Sequence, residues 1–417
     1  MSINPDSLIM YTPDFIKQFR AQFPFYQNQT DKPISSVYLD NAATTHICQP
    51  ALDAINHYYQ FEHANVHRSS HPLAIGASNQ FEAVRQQTAH WLNAIDKNEI
   101  VWTKGATEAA NLIAHGLSKV HIKAGDEVII SLAEHHAHFV TWQQLAKYYN
   151  FNLKVVSLTQ DLQIDLAHLS HLINPKTKAI AFCHVSNATG VIQPVDAILQ
   201  LIKPHKQIVS IIDGSQAVNH IPINIQALNC DFYFFSAHKM HAGTGLGVCY
   251  GKQSWLNALP PYQFGGEMVK HVSLDDTQFN QLPFKFEAGT PNISAVIAFG
   301  ATLKFLTQFQ WQKIKVYENE LMAYLLNELE QRKSINLLAD DHLVGAVSFT
   351  VKDMHCKDAS DILSQMGVAL RAGSHCAMPL IQAICPQGSL RVSICGYTSV
   401  EDINYFLFCI DELNEFL

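Results

Sequence analysis

The feature that most constrains this chain is a set of short strands that carry no polar face. Glu127-Val128-Ile129-Ile130, Leu153-Lys154-Val155-Val156, Ala179-Ile180-Ala181-Phe182, Ile208-Val209-Ser210-Ile211-Ile212 and Asp231-Phe232-Tyr233-Phe234-Phe235 read as strands. Most are nearly all apolar rather than alternating, the pattern of a strand covered on both sides. Helical patterns lie between several of them, for example over 141–149 and 195–202. The alternation predicts an α/β fold, with a large domain whose mostly parallel central sheet is flanked by helices. Ligands on such a sheet bind outside the carboxyl ends of its strands. After Pro291 the texture changes. A long helical stretch over 294–332 precedes a strand over 346–351, a helix opened by Lys357-Asp358, a glycine-containing loop over 371–379, a short strand and a final helix over 401–416. This predicts a smaller α+β domain made of 1–29 and 294–417, with 30–293 as the large domain and a helix over 13–23 joining the smaller one.

Composition excludes several classes. The 417 residues suit two or three domains, at roughly 100–200 residues each. Hydrophobic residues are 48% and charged residues 15%, the opposite of a disordered chain. The net charge is −8 and no run of Lys or Arg occurs, which argues against nucleic acid and anionic membranes as partners. No uncharged apolar stretch approaches the roughly 18 residues of a membrane span. The start lacks a basic segment followed by an apolar one, so no signal peptide is expected. The nine cysteines form no C-x-x-C pair and are odd in number. Neither a zinc ribbon nor a disulfide framework fits, and a reducing cytoplasm is the expected location.

Asp213 and Lys239 each follow a strand, so both are expected at the ligand-binding edge of one sheet. A carboxylate there can pair with a protonated pyridine nitrogen, while an amine bonds an aldehyde. Pyridoxal phosphate enzymes need that combination. Burial beside a cationic cofactor would lower the amine's pKa and make it a nucleophile or base. Alone, the pair reads more simply as a helix cap and a surface lysine. Three additions reverse this. Lys104-Gly105-Ala106-Thr107-Glu108 is a glycine turn opening a helix after Ile100-Val101-Trp102, and a helix N-terminus beside a hydroxyl is a phosphate site. Ser236 and His238 add two phosphate donors next to Lys239. His135 follows the strand 127–130 and could stack flat on a pyridine ring. The sets His135, His136, His138 and His63, His67, His71 could instead bind a metal, but no H-E-x-x-H occurs and no carboxylate completes either set, so no metal is expected.

Cys376 stands in a loop, Leu370-Arg371-Ala372-Gly373-Ser374-His375-Cys376-Ala377-Met378-Pro379. Arg371 and His375 offer positive charge that would favour thiolate, the nucleophilic form. The other eight cysteines read as buried and inert. Arg391 is a candidate fork for a substrate carboxylate; its plainer reading is a surface ion pair of little worth.

Taken together these residues resemble the class V aminotransferase family of fold type I pyridoxal phosphate enzymes, and within it the group II cysteine desulfurases of the SufS and CsdA (cysteine sulfinate desulfinase) types. The resemblance is carried by Tyr38-Leu39-Asp40-Asn41-Ala42-Ala43-Thr44, Asn65-Val66-His67-Arg68-Ser69, Thr107-Glu108, Glu134-His135-His136-Ala137, Val185-Ser186-Asn187-Ala188-Thr189-Gly190, Asp213 to Val218, Phe235 to Lys239, Gly265-Gly266-Glu267-Met268, Phe286 to Asn292, and Arg371 to Pro379. It implies that Lys239 bonds the cofactor and that Asp213 pairs with the ring nitrogen. Gln216 would bond the ring hydroxyl, and Thr107, Ser236 and His238 would hold the phosphate. His135 would stack and handle protons. In a homodimer, Thr290 of the second copy would join the phosphate site. Asn187 and Arg391 would bind the carboxylate of L-cysteine, with Arg371 also at the substrate. Cys376 would take the sulfur as a persulfide, leave alanine, and hand the sulfur to an acceptor protein of the SufE or CsdE kind for iron–sulfur cluster assembly. Selenocysteine or cysteine sulfinate are further possible substrates. The chain departs from the family at Met240-His241-Ala242-Gly243, where Leu-Tyr-Gly-Pro is usual, at Ala106 for a frequent Thr, and at Ser215 for a usual Ala. The alternatives are an aminotransferase or selenocysteine lyase of the same fold, and a catalytically silent scaffold for sulfur transfer.

Overall fold

The computed structural model describes residues 11–27 and 37–413. Its large sheet contains β1 (Ile100–Thr103), β2 (Glu127–Ser131), β3 (Asn152–Val156), β4 (Thr177–Cys183), β5 (Val209–Asp213), β6 (Phe232–Ser236) and β7 (Gly247–Gly251). Their order is β1-β7-β6-β5-β4-β2-β3. All run the same way except β7, which pairs antiparallel with both neighbours. Alternate residues face two separate cores. Ile129, Ile180, Phe182, Ile212, Tyr233 and Phe235 enter one, and Val128, Ile130, Ala179, Ala181, Val209, Ile211, Phe232 and Phe234 enter the other. That is why the strands read as continuous apolar runs: neither side has water to face. The helices Ala106–Val120 and His136–Tyr149 cover the second side.

Every strand expected from the sequence is present, with ends moved by a residue or two. The strand β7 was not anticipated. Its Val248-Cys249-Tyr250 core is short and bracketed by glycines, which look like loop signals. Gly247 is required by close approach: a Cβ there would lie 2.5 Å from the Gly105 carbonyl carbon and from Thr103 Oγ1.

The smaller sheet contains β8 (Ile335–Leu337), β9 (Ala346–Val351), β10 (Arg371–Gly373) and β11 (Ser389–Ser393), in the order β8-β9-β11-β10 and antiparallel throughout. Two expectations need correction here. The helical stretch over 294–332 is two helices, Ile293–Gln308 and Trp311–Glu330. Gln310 between them has φ 52°. A glutamine in the left-handed region leaves no glycine or proline mark in the sequence. The loop over 371–379 begins as the edge strand β10 and ends in a helix, Met378–Ile384. The helix expected over 13–23 is Asp14–Arg20, followed by a turn at Pro24–Gln27. It buries Ile16 and Phe19, and Arg20 binds Asp402 and the Tyr397 carbonyl of the C-terminal segment. The last helix is Val400–Leu413; residues 414–416 of the expected one lie outside the described residues, as do 1–10 and 28–36.

Backbone pairing ties residues 37–40 to the chain around the smaller sheet. Val37–Tyr38 pairs parallel with Val368–Ala369, and Asp40 bridges to Ser393. The Gly190 turn after β4 lies against β9 so closely that a Cβ there would come 1.9 Å from the Ala346 carbonyl oxygen, and its φ is 79°. Among the described residues no helix is long and apolar enough to cross a membrane.

Edge strand β1 is held by a buried ion pair. Arg85 is fully buried; it donates to the Ile100 carbonyl at 2.9 Å and to both carboxylate oxygens of Glu287, at 2.6 and 2.9 Å. Glu287 also accepts the Trp102 N–H at 2.8 Å. Such a pair gives little net stability relative to apolar residues, but losing one partner strands the other charge. Arg85→Leu is therefore expected to lower unfolding stability in urea by about 3–5 kcal/mol. Adding Glu287→Leu should recover a large part of it. A loss below about 1 kcal/mol for the single variant, the level of an exposed ion pair, would refute this assignment.

Candidate active site

Strand order places the expected residues side by side. At the carboxyl edge, β6 is followed by the turn Ala237–Lys239, β5 ends in Asp213, β4 leads to Asn187, and β2 leads to His135. These four strands are consecutive neighbours in the sheet, and β1, running the same way, delivers the helix that starts at Ala106. One cavity of about 170 Å³ lies there, and it is lined by Thr107, His135, Asn187, Asp213, Gln216, Ser236, His238, Lys239, Arg371 and Arg391. Ten of the twelve residues singled out from the sequence thus converge.

The cavity has three chemically distinct poles. At one, the helix Ala106–Val120 presents its N-terminus, with Thr107 in its first turn; Ser236 Oγ accepts the Ala106 N–H at 2.8 Å, and His238 shares a 3.0 Å hydrogen bond with Thr44. Unpaired N–H groups and the helix dipole suit an anion there. At the second, Asp213 is buried and accepts the Ser215 N–H at 2.9 Å. Gln216 donates to the Ala42 carbonyl at 2.8 Å, which fixes its amide. At the third is Lys239. Burial pushes its amine down to about 8, with Arg391 and Arg371 acting in the same sense and Asp213 and Cys376 opposing. An anion pole, a carboxylate and a partly neutral amine are what the phosphate, the ring nitrogen and the aldehyde of pyridoxal phosphate require, so the residues fit that group. The Ser215 hydroxyl is buried with no partner among the described residues.

His135 caps the helix His136–Tyr149, its Nδ1 accepting the Ala137 N–H at 3.0 Å. Burial, then Lys239, drives its pKa down to about 4. The ring is therefore a neutral imidazole with the proton on Nε2. Beneath it, Glu134 binds the Cys183 N–H at 2.8 Å and His138 Nδ1 at 2.9 Å, and also Ser131. His138 is thereby committed to a carboxylate, and His71 caps the helix Pro72–Leu92. Among the described residues no three metal-ligating side chains converge.

Cys376 sits beside the cavity. Arg371, which lines it, donates to the Cys376 sulfur at 3.1 Å. His375 does not supply the second positive charge expected of it. Burial and the two guanidiniums drive its pKa to about 3; it is a neutral ring bonded to Ser389 at 2.9 Å. Both His375 and Cys376 have left-handed backbone, φ 51° and 57°. Asn187 Nδ2 donates to the His375 carbonyl at 2.5 Å. Arg391 is buried, donating to the Asn187 carbonyl at 2.7 Å and to Asp40 at 2.9 Å, so it is no surface pair. Its Nε has no partner among the described residues. Thr290 is the one expected residue that lies elsewhere: it is exposed and lines a separate cavity with Lys104, Gln263 and Asn292. Asp40, Thr44 and the Ala42 carbonyl stood in a recognised motif but had no role. No local pattern ties residues 38–44 to partners about 170 to 350 positions away.

The comparisons with known proteins agree with this geometry. The family described as Aminotransferase class-V matches residues 37–406. The chain belongs to that family. A probable cysteine desulfurase of Vibrio cholerae is 39% identical over 399 residues, covering 95% of this chain and 98% of that protein. A cysteine desulfurase of Yersinia pestis is 37% identical over 404 residues, with 96% and 99% covered. The crystal structure of the cysteine desulfurase CsdA from Escherichia coli superposes with a TM-score of 0.89 at 34% identity, covering 96% of this chain and 99% of that one. Within its family the chain is a pyridoxal phosphate-dependent enzyme of the cysteine desulfurase kind.

The setting of Lys239 has a direct consequence. In cofactor-free protein, modification of Lys239 by a small amine reagent, followed by mass, should half-titrate near pH 8. An unperturbed lysine would half-titrate near about 10.4, and that result would refute the buried setting.

Proposed function

We propose that the enzyme takes sulfur from L-cysteine onto Cys376, as a persulfide, and releases L-alanine. The observation that carries this is Arg371, which lines the Lys239 cavity and hydrogen-bonds the Cys376 sulfur, so that amine and thiol serve one substrate. Pyridoxal phosphate supplies an electron sink for the substrate's α-carbon when bound. Thr107, Ser236 and His238 would hold its phosphate, Asp213 its ring nitrogen, Gln216 its ring hydroxyl, and Lys239 its aldehyde, with His135 against the ring. Arg391 and Asn187 bind the substrate carboxylate; the unpartnered Nε of Arg391 is a donor in reserve for it. Lys239 Nζ then removes the α-proton, a task for an amine that is partly neutral at working pH. The Cys376 thiolate attacks the substrate sulfur. The S–S bond forms as the Cβ–S bond breaks, the bonding pair goes to Cβ, that carbon is protonated, and Lys239 Nζ returns a proton to the α-carbon, which gives alanine.

The thiol loop belongs to the smaller unit, 1–29 with 294–417, and the amine to the larger, 30–293. A homodimer and a SufE- or CsdE-like sulfur acceptor in the cytoplasm, feeding iron–sulfur cluster assembly, complete the reading. The exposed position of Thr290, away from its own cavity, supports its serving a second copy.

Cys376→Ala is expected to bind cofactor and cysteine normally, read by absorbance. Alanine formation should fall by about 100-fold or more, because a positioned nucleophile supplies much of the rate. Alanine and sulfide release at the wild-type rate in that variant would remove Cys376 from the reaction.

A further inference from the structure

Two helix N-termini meet at the thiol loop. His136 is the first residue of the helix His136–Tyr149, and Met378 is the first of Met378–Ile384. The leading N–H groups of a helix have no partner inside it. Here each is satisfied by the other's segment. The His136 N–H donates to the Cys376 carbonyl at 2.7 Å, and the Met378 N–H donates to His136 Nε2 at 3.0 Å. One residue therefore grips the chain at two points immediately after the Cα that carries the reactive sulfur. The residue just before it is His135, whose side chain caps the same helix and lines the cavity.

We propose that His136 is a positioning residue for sulfur transfer: its ring and backbone clamp residues 376–378, so that the turn which presents His135 to the cofactor also fixes where the Cys376 sulfur stands. The inference deepens the reading above and rests on it. Three features make the clamp specific. The backbone at His375 and Cys376 is left-handed and would relax without external bonds. The Nε2 must be unprotonated to accept, and burial lowers the His136 pKa, which keeps it so. The helix Met378–Ile384 opens at Ala377 with no side-chain cap of its own, which leaves its first N–H to His136. His136 touches neither the cavity nor the reacting atoms, so it acts only through Cys376.

The test uses holoenzyme carrying His136→Ala or His136→Gln. An amide oxygen at the end of glutamine reaches about as far as Nε2 and can accept the Met378 N–H; alanine cannot. Cysteine binding is read from cofactor absorbance, and persulfide formation from single-turnover mass at Cys376. We expect the alanine variant to bind cysteine within about twofold of wild type and to load Cys376 at least about 10-fold more slowly, the signature of a displaced nucleophile. The glutamine variant should recover most of the rate. Loading at the wild-type rate in His136→Ala, equal slowing in both variants, or a parallel loss of cysteine binding would overturn the clamp. Wild-type enzyme that makes alanine with no mass gain at Cys376 would instead overturn the parent reading, and the clamp with it.

Discussion

The chemistry proposed for this protein hangs on an amine held largely out of water at the lining of a small cavity. A surface lysine near pH 10.4 offers about one neutral amine in 2,500 at pH 7, too few for a nucleophile or base. At about 8 the neutral share of Lys239 rises to about a tenth. Desolvation is the main cause, and the guanidiniums of Arg391 and Arg371 act in the same direction. Asp213 pulls the other way, but it sits at the end of β5 with one oxygen taken by the Ser215 N–H. The sheet order makes this possible, since β5 and β6 are neighbours and their ends deliver the carboxylate and the amine together.

The same positive surroundings decide what the histidines do. His135, His238 and His375 are all pressed down, to about 4, 4 and 3, by burial first and by neighbouring cations second. Neutral imidazoles can accept hydrogen bonds, and His135 uses one nitrogen as a helix cap. The formal positive charge left near the thiol is therefore that of Arg371, Arg391 and the protonated share of Lys239. Those two guanidiniums are fixed charges, while the charge on Lys239 is lost as pH rises through about 8, so the cavity becomes less positive above that pH.

Much of this was legible in the chain, and the reason is physical. Strands buried on both sides must be apolar throughout, so β2, β4, β5 and β6 announced themselves, and whatever followed them had to lie at one edge. Asp213, Lys239 and His135 were found that way, and Thr107 through its glycine turn; Asn187 came only from the resemblance of its motif. What failed was long-range or unmarked. The turn at Gln310 and the turn at His375 are left-handed without glycine. The neutrality of His375 depends on burial and on Arg391, sixteen positions away in sequence but close in space. The pairing of Arg391 with Asp40 joins residues more than three hundred positions apart. Thr290 shares no cavity with the others within one chain.

The left-handed pair at His375 and Cys376 carries the deepest link between fold and chemistry. Non-glycine residues in that region cost on the order of 1–3 kcal/mol each and persist only where their surroundings over-determine them. Here the restraints come from segments next to both sheets. Asn187, after β4, holds the His375 carbonyl; Ser389, in β11, holds its ring; the start of the helix after β2 holds the Cys376 carbonyl. The bend turns the sulfur toward Arg371 at the mouth of the cavity rather than along the strand β10 that precedes it. The bonds that offset this strain run from residues 375–376 to segments that follow strands of the larger sheet and to a strand of the smaller one, so the proposed transfer of sulfur to Cys376 depends on the packing between the two sheets.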